Sequence, residues 1–162
     1  MLCGMANVRP IVVPVDFSPH SEAALLWAAN AAGSFGASLL VLHVVHDPAA
    51  APGYYARANE TGLVRSMEEI AKQLLDEFVE RIRAEHPGHA ALDDARVEMV
   101  VGLPANRILE VAEREDAPLI VMGSQGRTGL RHLLIGSKAL RVVQLSTIPV
   151  TIVKAPPESE SD

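Results

Sequence analysis

Five short apolar runs recur along the chain, and what lies between them is helical in character. That alternation constrains the fold more than any other feature of the sequence. The runs are Ile11-Val12-Val13-Pro14-Val15, Ser38 to Val45, Arg96 to Val101, Leu119 to Met122 and Pro149 to Val153. Each is short and rich in β-branched residues, as buried strands are. Strands that are apolar on both faces and alternate with helices imply a parallel sheet covered on both sides. The expected fold is therefore α/β: a single-domain, open, mainly parallel five-stranded sheet with helices on both faces. We place the domain at residues 1–154 and expect residues 155–162 to be a disordered polar tail.

Local signals mark the helix boundaries. Pro14 is awkward inside a strand, so the first strand should end near it. Ser18 followed by Pro19 reads as a helix start: a hydroxyl cap, then a fixed φ where the missing N–H does no harm. That helix should run through Leu25, Leu26 and Trp27 and stop between Gly33 and Gly36. Residues 47–59 contain Pro48, Pro52 and Gly53 and read as a long excursion. Leu63, Met67, Ile70, Leu74, Phe78 and Ile82 fall three or four apart and form one apolar stripe of a helix that Pro87-Gly88 ends. Gly102-Leu103-Pro104 opens a helix that carries Ile108, Val111 and Ala112 and is closed by Pro118. The last helix should span about 137–146, after a glycine-rich loop.

Charge and cysteine content narrow the function classes. The chain of 162 residues carries 14 Lys and Arg against 20 Asp and Glu, a net charge of −6. That balance argues against binding to nucleic-acid backbone or to an anionic membrane. Cys3 is the single cysteine, so a reducing compartment fits best, and only Arg9 stands near it to lower its pKa. Residues 1–10 hold no long apolar stretch of the secretory kind, and residues 38–45 are too short to span a bilayer. A cytoplasmic protein is expected.

The loop after the fourth strand carries the chemistry. It reads Gly123-Ser124-Gln125-Gly126-Arg127, and continues to Gly136-Ser137-Lys138 at the start of a helix. Glycine lets backbone approach a ligand closely, and free N–H groups at a helix start attract phosphate. Arg127, Arg131 and Lys138 add positive charge to an acidic chain. The bland alternative is a loop that only joins strand to helix. The sequence is not a Walker A loop, and the first strand leads into Asp16-Phe17-Ser18-Pro19 rather than a dinucleotide fingerprint. Ser124 lacks the surroundings of a hydrolase nucleophile elbow.

The spacing Gly123-x2-Gly126-x9-Gly136-Ser137 resembles the motif of ATP-binding universal stress proteins. Pro14-Val15-Asp16-Phe17-Ser18, Leu42-His43-Val44 and Val101-Gly102-Leu103-Pro104 resemble further blocks of that family, so the likeness covers residues 11–154. It implies a Rossmann-like fold of the adenine nucleotide alpha hydrolase-like kind, with ATP as ligand. By that resemblance Pro14, Val15 and Asp16 meet the nucleoside, Asp16 by polar contact, and the Val44 backbone meets adenine. Met122 and Gly123 line the ribose side, and Gly126, Gly136 and Ser137 hold the phosphates, to which Arg127 and Lys138 of this chain can add positive charge. Mg2+ or Mn2+ would ride on the phosphates rather than on protein ligands. Lys138 stands where the family often has a small apolar residue; its charge either strengthens phosphate binding or points to solvent.

Other candidates are weaker. Asp16 by itself fits either a ligand contact at a strand end or a cap for the following helix. His43, His46 and Asp47 cluster, but a metal would need further ligands that the sequence does not identify. Tyr54, Tyr55 and Arg57 either cover a nucleotide or belong to an ordinary surface loop. His86-Pro87-Gly88-His89 reads as a helix-ending turn. Three functions compete: a nucleotide-dependent regulatory module, a nucleotide-free structural dimer of the same fold, and a slow ATPase or phosphotransferase. No base for water stands out beside the phosphate loop. The final strand, residues 149–153, is β-branched and uncharged, and is expected to pair with its copy in a homodimer with Thr151 near the axis.

Overall fold

A computed structural model of the chain describes residues 8–46, 67–126 and 135–156. The elements run β1 (Pro10–Pro14), α1 (Pro19–Phe35), β2 (Ser38–Val45), α2 (Met67–Glu85), α3 (Ala90–Asp93), β3 (Arg96–Val101), α4 (Pro104–Arg114), β4 (Ile120–Gly123), α5 (Ser137–Leu145) and β5 (Val150–Val153). The expected five-stranded parallel sheet is present, in the order β3-β2-β1-β4-β5. The excursion at 47–59, Leu63, Arg127, Arg131 and Cys3 lie outside the described residues, as do residues 157–162.

Side-chain alternation divides the core into two layers. Ile11, Val13, Leu39, Val41 and Val121 point to the face covered by α1, α2 and α3. Val12, Leu40, Leu42, Ile120 and Met122 point to the face covered by α4 and α5. Because successive strand residues serve opposite layers, both must be apolar. Burying each Leu, Ile or Val contributes about 1.5–3 kcal/mol, so a polar residue at any of them is costly.

The helix boundaries follow their chemistry. Ser18 caps α1, its side chain accepting the Ser21 N–H at 3.2 Å, with Pro19 in the first helical position. Gly36 ends α1 at φ +56°, a left-handed conformation that favours glycine. On α2, Ile70, Phe78 and Ile82 are buried as the stripe predicts, while Leu75 is more deeply placed than the partly buried Leu74. The sequence reading missed α3, a single turn after Pro87-Gly88, too short to leave a periodic pattern.

Candidate functional site

Strand order reverses between β1 and β4, since α1 leads from β1 to β2 on one side and β4 lies on the other. In open parallel sheets such a reversal leaves a crevice at the carboxyl ends of the strands. Pro14 helps to open it. The Val12 N–H donates to the carbonyl of Leu119, just before β4, and the Val15 N–H donates to Leu42 on β2, so strand alternation turns the Pro14 nitrogen toward β4. That nitrogen has no hydrogen to donate, and the β1–β4 ladder is limited to Val12 opposite Ile120. On the other flank, Leu42 faces β1 while the Val45 carbonyl accepts the N–H of Gly102, just after β3. Val44 therefore aims its N–H and carbonyl past the end of β1 and into the crevice. A planar ligand with adjacent donor and acceptor groups can pair with such a backbone edge.

The segment after β1 is held residue by residue. The Val15 carbonyl accepts the Nδ1–H of His43 at 2.8 Å. The Asp16 carboxylate accepts the Ser18 N–H at 3.1 Å. Phe17 has φ +66° and stacks on the His43 ring at 4.6 Å between centroids. Asp16 thus both braces the start of α1 and reaches the crevice, where its Oδ2 lies 2.9 Å from the place a Cβ on Gly126 would occupy. The two readings of Asp16 describe compatible roles of one side chain.

The three motif glycines do different jobs. A Cβ on Gly123 would come within 2.7 Å of the His20 backbone, so this glycine lets α1 pack on β4. Gly126 makes room for the Asp16 carboxylate. Gly136 has ordinary extended backbone, φ −68° and ψ 157°. Among the described residues, a Cβ there would meet nothing nearer than 3.5 Å. The fold alone does not require glycine at 136; what glycine adds is open space before α5. Since Gly136 has no side chain to cap the helix, the first N–H groups of α5 remain available for an anion.

These elements enclose a cavity of about 400 Å³. Of the residues expected at the site, Pro14, Val15, Asp16, Val44, Met122, Gly123, Gly126, Gly136, Ser137 and Lys138 all line it. Arg127 lies outside the described residues. The wall is apolar around Val44, Pro104, Ile108 and Met122, and polar around Asp16, Ser137 and Lys138. Sequence reading did not single out Pro104, Ile108, Gln125 or His46 as lining. Pro104 read as the opening of α4 and as part of a family block, Ile108 as a residue that helix carries, and the His46 Nδ1–H donation to the Gly102 carbonyl at 3.3 Å follows from the β2–β3 register.

His43 is the buried histidine of this region, 2% exposed. Burial holds its pKa below the ordinary 6.5, opposed by the Val15 carbonyl and the Asp16 charge and aided by the Lys138 charge. A folded-state pKa below the unfolded one means that the unfolded chain takes up the proton first. The stabilisation from neutral His43 is complete above pH 6.5 and is lost as pH falls from there toward the folded-state pKa. His43→Asn keeps a donor for Val15 but cannot titrate. Urea unfolding across a pH series should show a shallower acid-side loss of stability in this variant than in the wild type.

Among the described residues, no group of three or more His, Cys, Asp or Glu is arranged to hold a metal ion. Among the groups lining the cavity, the Asp16 carboxylate and the Ser137 hydroxyl are hard oxygens that suit Mg2+ or Mn2+ carried on a phosphate. No helix among the described residues is long and apolar enough to cross a membrane.

Comparison with known proteins agrees with this fold. Residues 7–154 match the family model described as universal stress protein family. The chain belongs to the universal stress protein family. It is 37% identical over 150 residues to universal stress protein MJ0531 of Methanocaldococcus jannaschii, covering 91% of this chain and 83% of the relative. The universal stress protein from Archaeoglobus fulgidus in complex with dAMP superposes with a TM-score of 0.60 at 28% identity, over 90% of this chain and 97% of that one. A universal stress protein in complex with cAMP superposes with a TM-score of 0.61 at 26% identity, over 92% and 98% of the two chains.

Proposed function

We propose that this universal stress protein binds ATP in the crevice between β1 and β4. We further propose that it acts in the cytoplasm as a nucleotide-dependent regulatory module, hydrolysing ATP slowly if at all. The observation that carries this reading is the division of the cavity. Its apolar wall and the backbone edge of Val44 suit a purine. Asp16 suits ribose hydroxyls as an acceptor. Gly126, Gly136 and Ser137, with the amide end of α5, suit phosphates. Adenine nucleotides in related solved structures support the same ligand class. Among the described residues Asp16 is the one carboxylate of the wall, and its Oδ1 already accepts the Ser18 N–H, which favours slow hydrolysis at most.

Freshly purified protein, denatured and analysed by mass, should release adenine nucleotide, and stripped protein should bind ATP in a calorimeter. Absence of both would overturn the proposal. Mg2+ or Mn2+ belongs to it as a partner of the phosphates and should tighten ATP binding without binding by itself.

Lys138 supplies charge selectivity in this reading. It lines the cavity, and its charge reaches His43. Lys138→Ala should weaken ATP by about fivefold, about 1 kcal/mol for a partly exposed charged contact, and leave adenosine affinity nearly unchanged. Equal losses for both ligands would place Lys138 away from the phosphates.

A further inference from the structure

Phe17 occupies an unusual backbone position for its residue type. Its φ of +66° lies in the left-handed region, which glycine enters freely and a bulky side chain rarely does. The surroundings hold it there. Its ring stacks on His43, with centroids 4.6 Å apart and planes 26° apart. It also meets Phe78 of α2, 5.5 Å away and tilted by 55°. His43 in turn is fixed by its bond to the Val15 carbonyl at 2.8 Å. Residues 15 and 17 are therefore both anchored to one buried imidazole, and Asp16 lies between them.

The left-handed turn at residue 17 is what brings the Ser18 N–H back onto the Asp16 Oδ1, at 3.1 Å. With one oxygen held this way, the other faces Gly126 across the crevice. Strained non-glycine backbone persists only where its surroundings over-determine it, and it concentrates at binding sites. We propose that Phe17, braced against His43, is a positioning residue that presets the Asp16 carboxylate for ribose hydroxyls, so that its value to the protein lies in ligand affinity. The proposal rests on the nucleotide reading above for its ligand, and on the geometry of residues 15–18 for its mechanism.

The test is a cycle of Phe17→Gly, Asp16→Ala and the double variant, titrated with ATP. Glycine accepts the left-handed backbone but removes the ring. Phe17→Gly should weaken ATP about tenfold. In the Asp16→Ala background it should cost nothing more, and Phe17→Tyr, which keeps the ring, should bind as the wild type does. Wild-type affinity in Phe17→Gly, or losses that multiply in the double variant, would overturn the proposal. If Phe17→Gly does not fold, Phe17→Asn takes its place, since asparagine also tolerates this backbone region. A second reading uses no ligand. Hydrogen exchange at the Ser18 amide should quicken about tenfold in Phe17→Gly while the core amide of Val12 is unchanged. A wild type that binds no ATP, together with faster Ser18 exchange in the variant, would sink the nucleotide reading and keep the positioning role. Unchanged Ser18 exchange would sink the positioning role itself.

Discussion

Gly136→Val should abolish ATP binding, at least about a hundredfold by calorimetry, or about 2.7 kcal/mol, while the melting temperature stays near that of the wild type. The two halves of this expectation come from different observations. Residue 136 has φ −68° and ψ 157°, a conformation that valine adopts readily. A Cβ would find Gln125 Cα and the Ser124 carbonyl oxygen no closer than 3.5 Å, ordinary van der Waals contact. The fold therefore has little reason to object. The binding loss arises because that Cβ and its two methyls would occupy the space in front of the first N–H groups of α5, where a phosphate must come close. Gly136→Ala should fall between the two. Gly123→Ala provides the contrast, because there a Cβ would strike the His20 backbone at 2.7 Å. Overpacking of that kind typically costs about 1–3 kcal/mol of stability. A Gly136→Val protein that bound ATP undiminished would remove the phosphates from the start of α5.

The contrast between these two glycines also shows what a sequence can and cannot disclose. The spacing of Gly123, Gly126 and Gly136 is visible in the chain, and it marks the loop after the fourth strand. Which glycine serves packing and which leaves space for a ligand depends on what lies opposite each, and His20 is more than a hundred residues away from Gly123 in sequence. The strands were legible because both-face apolarity survives in the sequence whatever the strand order. The order itself was not, and with it went the reason for Pro14: its missing donor matters only because it faces β4. His43 shows the same limit. A histidine in an apolar run reads as a packed residue, which it is, but its bond to Val15 and its stack on Phe17 come from how the chain turns after β1. Phe17 left no signal at all, since a phenylalanine in a loop does not announce a positive φ.

Pairing through β5 should make the protein a homodimer, and Ile152→Pro should raise its dissociation constant about a hundredfold while ATP binding is retained. The two edges of the sheet differ in the way this requires. At the β3 edge, Arg96 pairs with Glu115 and Arg114 pairs with Glu98, so charged side chains line the strand. At the β5 edge, Val150-Thr151-Ile152-Val153 carries no charge before Lys154, and Leu140 and Val143 of α5 leave 44% and 43% of their surface exposed. The Ile120 N–H donates to the Pro149 carbonyl and the Ser124 N–H donates to the Val153 carbonyl. Odd-numbered residues of β5 thus face β4, and Val150 and Ile152 aim their backbone groups outward. In an antiparallel pair about a twofold axis, Val150 of one copy would exchange both bonds with Ile152 of the other, and Thr151 would stand opposite Thr151 at the centre. Proline at 151 would break a bond to β4 and damage the protein's own sheet. Proline at 152 instead removes an outward donor from each copy and sets a ring against the partner strand. Light scattering should find dimers in the wild type and monomers in the variant at the same micromolar concentration, with calorimetry showing ATP bound by both. A wild type that remains monomeric there, or an Ile152→Pro protein that dimerises as well as the wild type, would rule this interface out.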